Sequence, residues 1–149
     1  MSLVVYLSGE IHTDWRDRII QRTEKMRLDI DFQHPVLDHE LSDECGVKLL
    51  GPEEKKFWHD QKGARLNALR TYNAIKNSDI VVVCFGEKYK QWNAAFDAGF
   101  AVASDIPLIV VHGDENQHAL KEVDASALVV VDDPEKVANA LSYVIKGKL

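Results

Sequence analysis

The most strand-like stretch of the chain is IVVVCF at residues 80–85, which is apolar at every position. The first apolar run, residues 3–8, also lacks the polar alternation of a strand with one face in water. A continuous apolar run is typical of a parallel strand that is covered on both faces. These two runs therefore predict a central parallel sheet between layers of helices.

Working outward from these runs, apolar stretches alternate with helical segments along the whole chain. Strands are predicted at residues 3–8, 29–34, 80–85, 108–111 and 127–131. Helices are predicted at about 13–27, at 52–76 with a break at Gly63, at 93–104, at 115–122 and from Pro134 to the end. The polar stretch 35–51 is interpreted as a long irregular connection, of the kind that often carries function.

The alternation of strands and helices favours right-handed crossovers and a parallel sheet. We therefore predict a three-layer α/β/α fold with a five-stranded parallel sheet in the flavodoxin-like order 2-1-3-4-5. Residues 1–149 are expected to form a single domain, since the chain contains no linker and no repeat.

Composition excludes several classes of function. Lys and Arg number 18 against 24 Asp and Glu, which gives a net charge of −6 and argues against nucleic-acid binding. No apolar run approaches the roughly 20 residues that cross a bilayer, and the first residues lack the basic start of a signal peptide. The two cysteines are too few for a disulfide scaffold. A cytoplasmic protein without membrane contact is expected.

In an open parallel sheet, ligands bind beyond the carboxyl ends of the strands where the strand order reverses. For the order 2-1-3-4-5 this crevice lies between the first and third strands, beside residues 8–14 and 86–92. Gly9 either lets the backbone approach a ligand or simply makes the turn. No glycine-rich nucleotide motif and no paired histidine spacing occurs, so no cofactor and no metal are predicted.

A single carboxylate interrupts the apolar helix predicted at residues 93–104. Its apolar composition predicts burial on nearly all sides, and Asp97 is its one acidic residue. Burying an ionised carboxylate is costly unless it is paired or functional. Asp97 is thus a candidate reactive group, and the alternative is a structural Asp bonded to a neighbouring loop. Gly99 is expected to allow close packing of this helix on the sheet.

Three segments resemble a known family in the same order. VYLSGEI at residues 5–11 resembles the strand and turn, YLAGP, of nucleoside 2-deoxyribosyltransferases and their relatives. SDIVVV at 78–83 resembles the aspartate and hydrophobic strand of that family, and WNAAFDAGFAVASDIPLIVV at 92–111 resembles its helix and the strand that follows. The nearest likeness is to the small bacterial YtoQ family.

The resemblance implies an enzyme in which a helix carboxylate attacks C1′ of a 2′-deoxynucleoside. The base leaves, and the covalent deoxyribosyl-enzyme passes the sugar to a second base or to water, as in retaining glycosidases. Asp97 occupies the position of the family's nucleophilic glutamate and is one methylene shorter. Glu10 stands where the family commonly has proline, and it is expected to act as an acid paired with Asp97 or to serve as polar lining.

The substrate contacts expected around these carboxylates come from Tyr6, Ser8, Gly9, His12, Gly86, Glu87, Tyr89, Trp92 and Asn93. Tyr89 and Trp92 are candidates for base stacking, although Trp92 would alternatively close the pocket. His12 is a candidate for proton transfer to the leaving base. Glu87 either contacts the base or is a solvated acidic residue of the loop. Tyr6 either reaches the site or belongs to the core.

The expected partner is a small-molecule nucleoside or nucleotide. Relatives complete their sites with a neighbouring subunit, so a homo-oligomer is expected, with Phe57 and Trp58 as candidate interface residues. The main alternative is a non-catalytic nucleoside- or nucleotide-binding module of the same fold. A flavin or phosphoacceptor switch is less consistent with the sequence, because the first loop lacks both an acidic cluster and a Ser/Thr-rich phosphate site.

Overall fold

A computed structural model describes all residues from Met1 to Leu149. Its elements are β1 Leu3–Gly9, α1 Trp15–Lys25, β2 Ile30–Gln33, α2 His39–Leu50, α3 Lys56–Lys76, β3 Ile80–Cys84, α4 Trp92–Ala103, β4 Leu108–Val111, α5 Lys121–Ser126, β5 Val129–Val131 and α6 Pro134–Lys146. A short 3₁₀ turn, Asp114–Asn116, lies between β4 and α5. No helix is both long and apolar enough to cross a membrane.

The five strands form one parallel sheet in the order β2-β1-β3-β4-β5, which confirms the predicted α/β fold and strand order. β1 lies beside β3, with Ser8 opposite Val83 and Gly9 opposite Cys84. The order therefore reverses between β1 and β3, and the carboxyl ends of these two strands open the crevice that such sheets use for ligands.

The core is divided between the two faces of the sheet. On one face, Val5 and Leu7 pack with residues of α1 and α6 such as Ile19 and Leu141. On the other face, the core consists of Tyr6, Ile75, Val81, Val83, Phe85, Ala94, Ala98, Ala101, Leu108 and Val110. Alternate residues of β1 thus point to opposite layers, and this places Ser8 on the side of α3 and α4.

The stretch 35–51, predicted to be irregular, contains helix α2. Asp38 caps this helix by accepting a hydrogen bond from the backbone N–H of Leu41 at 3.0 Å. Only Gly46 is fully buried in α2, so the helix has no apolar stripe that periodicity would reveal.

The break predicted at Gly63 is also wrong, because α3 is continuous from Lys56 to Lys76. A Cβ at Gly46 would lie 2.5 Å from the backbone nitrogen of Gly63. The two glycines therefore serve the close crossing of α2 and α3, and Gly63 is a packing residue rather than a helix breaker.

Two further expectations differ from the structure. The helix predicted at residues 115–122 is divided into the 3₁₀ turn and α5. Helix α4 is buried only along Ala94, Ala98 and Ala101, rather than all round. Gly99 is exposed, and a Cβ there would meet nothing within 4 Å, so Gly99 does not mediate packing on the sheet.

Candidate active site

The main cavity of the molecule opens beside the carboxyl end of β1 and has a volume of about 640 Å³. One wall consists of the end of β1 and the first turns of α4, and the opposite wall consists of α2 and α3. The residues that line it are Ser8, Gly9, Pro35, Ser42, Asp43, Lys56, Asp60, Ala64, Asn67, Ala68, Thr71, Tyr72, Asn93, Ala94, Phe96 and Asp97. Four of the predicted site residues, Ser8, Gly9, Asn93 and Asp97, thus meet in one cavity.

Asp97 presents its carboxylate to this cavity from the second turn of α4. The Ser8 hydroxyl donates a hydrogen bond to Asp97 Oδ2 at 2.6 Å, and no Lys, Arg or His pairs with the carboxylate. Burial raises the pKa of Asp97, and the hydrogen bond from Ser8 lowers it in part. A partly desolvated carboxylate without a cationic partner is a candidate reactive group.

Tyr6 lies in β1, where it is fully buried and outside the cavity lining. Its hydroxyl group has no hydrogen-bond partner. Burial raises the pKa of Tyr6, the nearby Thr71 side chain lowers it, and the negative charge of Asp97 raises it again. The phenol therefore stays protonated, and it contributes to the surroundings of Asp97 rather than to the cavity surface.

Glu10 is only 4% exposed and is hydrogen bonded to its own loop. One carboxylate oxygen accepts from the backbone N–H groups of His12 at 2.6 Å and Thr13 at 3.1 Å, and the other accepts from the Thr13 hydroxyl. The methylene groups of Glu10 pack on Gly86, where an added Cβ would lie 2.9 Å from Glu10 Cγ. The carboxylate thus organises the loop after β1, and its predicted pairing with Asp97 as an acid stays a prediction.

The same loop is held from below by two residues that the sequence did not single out. The Trp15 indole donates to the Glu10 carbonyl at 2.8 Å. The buried guanidinium of Arg16 donates to the carbonyls of Leu7 at 3.2 Å, Gly9 at 3.3 Å and Glu10 at 2.7 Å. Burial lowers the pKa of Arg16. These bonds fix the end of β1, and with it Ser8.

Four of the remaining predicted residues, Glu10, His12, Tyr89 and Trp92, line a second recess of about 560 Å³. This recess adjoins the main cavity at Gly9, Asn93 and Ala94. The rings of His12 and Tyr89 are 4.8 Å apart. Trp92 is 77% exposed and leaves the main cavity open. Gly86 and Glu87 line neither space, and Glu87 is an exposed loop residue.

The opposite wall of the cavity was not predicted from the sequence. Helix α3 contributes a stripe of small and polar residues at helical spacing, namely Asp60, Ala64, Asn67, Ala68 and Thr71. Asn67 is fixed by a hydrogen bond to the Ser42 carbonyl at 2.9 Å, which joins α3 to α2. The spacing of this stripe could have indicated the cavity wall from the sequence. A helix face that packs into an apolar core would not carry amides and hydroxyls along one line.

Aromatic side chains flank the same wall. Tyr72 and Phe96 both line the cavity, and their ring centroids are 6.0 Å apart. Tyr72 also packs on Phe100 at 4.8 Å. No group of three or more His, Cys, Asp or Glu side chains is placed to hold a metal ion.

The fold and cavity together define a class: a flavodoxin-like α/β protein with a carboxylate at the crevice between β1 and β3. A family model described as nucleoside 2-deoxyribosyltransferase YtoQ matches residues 6–145. The chain is 38% identical over 146 residues to uncharacterized protein YtoQ of Bacillus subtilis strain 168, covering 98% of this chain and 99% of that protein. The chain therefore belongs to the YtoQ family of nucleoside 2-deoxyribosyltransferase-like proteins.

A solved structure agrees with this fold. A conserved protein from Enterococcus faecalis V583 superposes with a TM-score of 0.60 at 15% identity, covering 97% of this chain and 99% of that chain. At this low identity the likeness shows the α/β architecture alone.

Proposed function

We propose that this protein cleaves or exchanges the N-glycosidic bond of a nucleoside or nucleotide, with Asp97 as the nucleophile. One observation supports the proposal most strongly: a partly buried carboxylate faces a 640 Å³ cavity with one hydroxyl donor and no cationic partner. A structural carboxylate would be expected to accept hydrogen bonds from backbone N–H groups, as Glu10 does.

In the proposed reaction, an oxygen of Asp97 forms a bond to C1′ while the bond from C1′ to the base nitrogen breaks. The electron pair of the broken bond leaves with the base, and a glycosyl ester of Asp97 remains. Water or a second base then attacks C1′ and releases the carboxylate. Ser8 holds the carboxylate in place through both steps, because its hydroxyl bonds Oδ2 and leaves Oδ1 without a hydrogen-bond partner.

The decisive experiment is a chromatographic assay of the purified protein with 2′-deoxynucleosides and their 5′-monophosphates, with and without a different free base. New deoxynucleoside would establish a transferase, and free base without exchange would establish a hydrolase. Asp97→Asn is expected to lower turnover by at least about 1000-fold. Asp105→Asn makes the same chemical change at an exposed site after α4, and it should leave turnover unchanged.

The second candidate is a non-catalytic nucleoside- or nucleotide-binding module. It is favoured by the hydrogen bonding of Glu10, which leaves Asp97 without a free second carboxylate beside it. This candidate predicts no turnover across the panel, together with a ligand-induced rise in melting temperature. Turnover that depends on Asp97 would exclude it.

A further inference from the structure

The cavity that contains Asp97 has an excess of negative charge in its lining. Asp43, Asp60 and Asp97 contribute three carboxylates, and Lys56 contributes the single ammonium group. Lys56 is already paired with Asp60, with 3.4 Å between Nζ and Oδ1. No arginine or histidine lines the cavity. Asp43 and Asp60 are exposed, so solvent screens their charges, but the net charge of the lining still favours a cation over a phosphate.

Aromatic faces lie at the same cavity. Phe96 is 59% exposed although it belongs to the cavity lining, and Tyr72 lies 6.0 Å from it. Exposed aromatic rings are costly in water and attract planar or cationic groups through their π faces. A planar base that carries positive charge would satisfy both the rings and the carboxylates.

Neither of the two groups predicted to protonate the leaving base is free beside Asp97. Glu10 is committed to the backbone and hydroxyl of the loop at residues 12 and 13. His12 lines the second recess instead of the cavity that contains Asp97. A neutral base leaves as an anion unless an acid protonates it, whereas a cationic base leaves as a neutral molecule and needs no acid.

We infer that the preferred substrate is an N-glycoside whose base is positively charged, such as an N-ribosylpyridinium; the inference rests on the proposed function. Asp97 forms the bond to C1′, the bond from C1′ to the ring nitrogen breaks, and its electron pair neutralises the positive charge of the ring. The released pyridine is neutral, and water or another acceptor then takes the sugar from Asp97. No oxidant, metal or acid is required.

The test uses nicotinamide riboside as the cationic probe and 2′-deoxyinosine as the neutral one, with released base measured by chromatography. Because pyridinium glycosides are intrinsically labile, binding is measured as well. The Asp97→Asn protein is titrated calorimetrically with oxidised nicotinamide riboside and with its reduced, uncharged form. The oxidised form is expected to bind about tenfold more tightly. Adding Asp43→Asn should reduce this ratio, and adding Asp105→Asn should not.

Equal affinity for the oxidised and reduced forms would overturn the inference. So would turnover of 2′-deoxyinosine without turnover of nicotinamide riboside, and this result would leave the proposed glycosidic function standing. Absence of turnover with every substrate would overturn the proposed function, and the inference with it. Turnover of nicotinamide riboside that Asp97→Asn abolishes, with tighter binding of the charged form, is the expected result.

Discussion

Among individual residues, Ser8 and Asp97 are the pair on which the proposed chemistry depends. Ser8 lies at the end of the buried strand β1, and its hydroxyl donates to a carboxylate on a different element, α4. The hydrogen bond stabilises the ionised form of Asp97, while burial favours the protonated form. The proposed nucleophilic attack needs the ionised form, so the balance between these two effects is expected to set the lower pH limit of the proposed activity.

Ser8→Ala removes the donor and is expected to raise the pKa of Asp97 further. The acidic limb of the kcat/KM profile should then move to higher pH, because a smaller share of the enzyme carries the ionised nucleophile at any given pH. Ser78→Ala removes a buried hydroxyl that donates to the Ala74 carbonyl at 2.8 Å, outside the cavity lining. This control should leave the limb in place. An unmoved limb in Ser8→Ala would contradict the proposed role of Ser8.

Asp97→Asn is expected to stabilise the fold while it removes activity. The pKa of Asp97 is raised above its ordinary value, so the ionised carboxylate opposes folding at neutral pH. An amide of the same shape removes the charge and still accepts from Ser8. The free energy of unfolding at pH 7 should rise by about 0.5–2 kcal/mol, measured by urea denaturation. A loss of stability would indicate a structural carboxylate instead.

The position of Asp97 in an apolar helix made it a candidate from the sequence alone, and the structure places it in the cavity lining. The sequence left the role of Gly9 open, and the structure supplies the reason for a glycine there. Gly9 has a φ of +126°, and a Cβ would lie 2.1 Å from the Cys84 carbonyl oxygen. The close approach is to the neighbouring strand, which no local pattern in the sequence reveals.

At the scale of helices and strands, the sheet was predictable and helix α2 was not. Strands β3 and β4 are apolar throughout and buried, so their composition alone distinguishes them. Helix α2 packs against α3 and exposes most of its residues, including Leu41, Leu49 and Leu50. Its position depends on the contact between Gly46 and Gly63, which are distant in sequence. The cavity wall that α2 and α3 form was missed for the same reason.

His112 and Asp124 join β4 to α5 by a contact that depends on pH. The two ring nitrogens of His112 lie 2.7 Å from the Gly113 carbonyl oxygen and 2.8 Å from Asp124 Oδ2. Burial lowers the pKa of His112, but these two acceptors, with the charges of Asp124 and Glu115, raise it above its ordinary value overall. The doubly protonated ring therefore satisfies both acceptors.

Because the folded pKa of His112 is raised, this stability is fully present below its ordinary pKa and is lost as pH rises through the folded value. Asp124→Asn should cost about 2 kcal/mol of unfolding free energy at pH 6 and less at pH 9. His118→Asn, at an exposed histidine nearby, serves as the control. Urea denaturation of the three proteins at both pH values checks this. An equal cost at pH 6 and pH 9 would contradict a charged pair.

For the molecule as a whole, the two faces of the sheet differ in whether they are closed or open to solvent. The face covered by α1 and α6 is closed core, whereas the face covered by α3 and α4 opens into the cavity at the strand order reversal. Phe57 and Trp58 are 61% and 47% exposed on α3. The homo-oligomer expected through these residues stays a prediction.

The central claim, that Asp97 becomes glycosylated during turnover, is tested most directly by rapid acid quenching and mass spectrometry of the intact protein. With a substrate identified in the chromatographic assay, we expect a protein species heavier by one glycosyl group. Peptide mapping should place the added mass on Asp97, and Asp97→Asn should show none. A glycosyl group on another residue, or turnover at the wild-type rate by Asp97→Asn, would contradict the account.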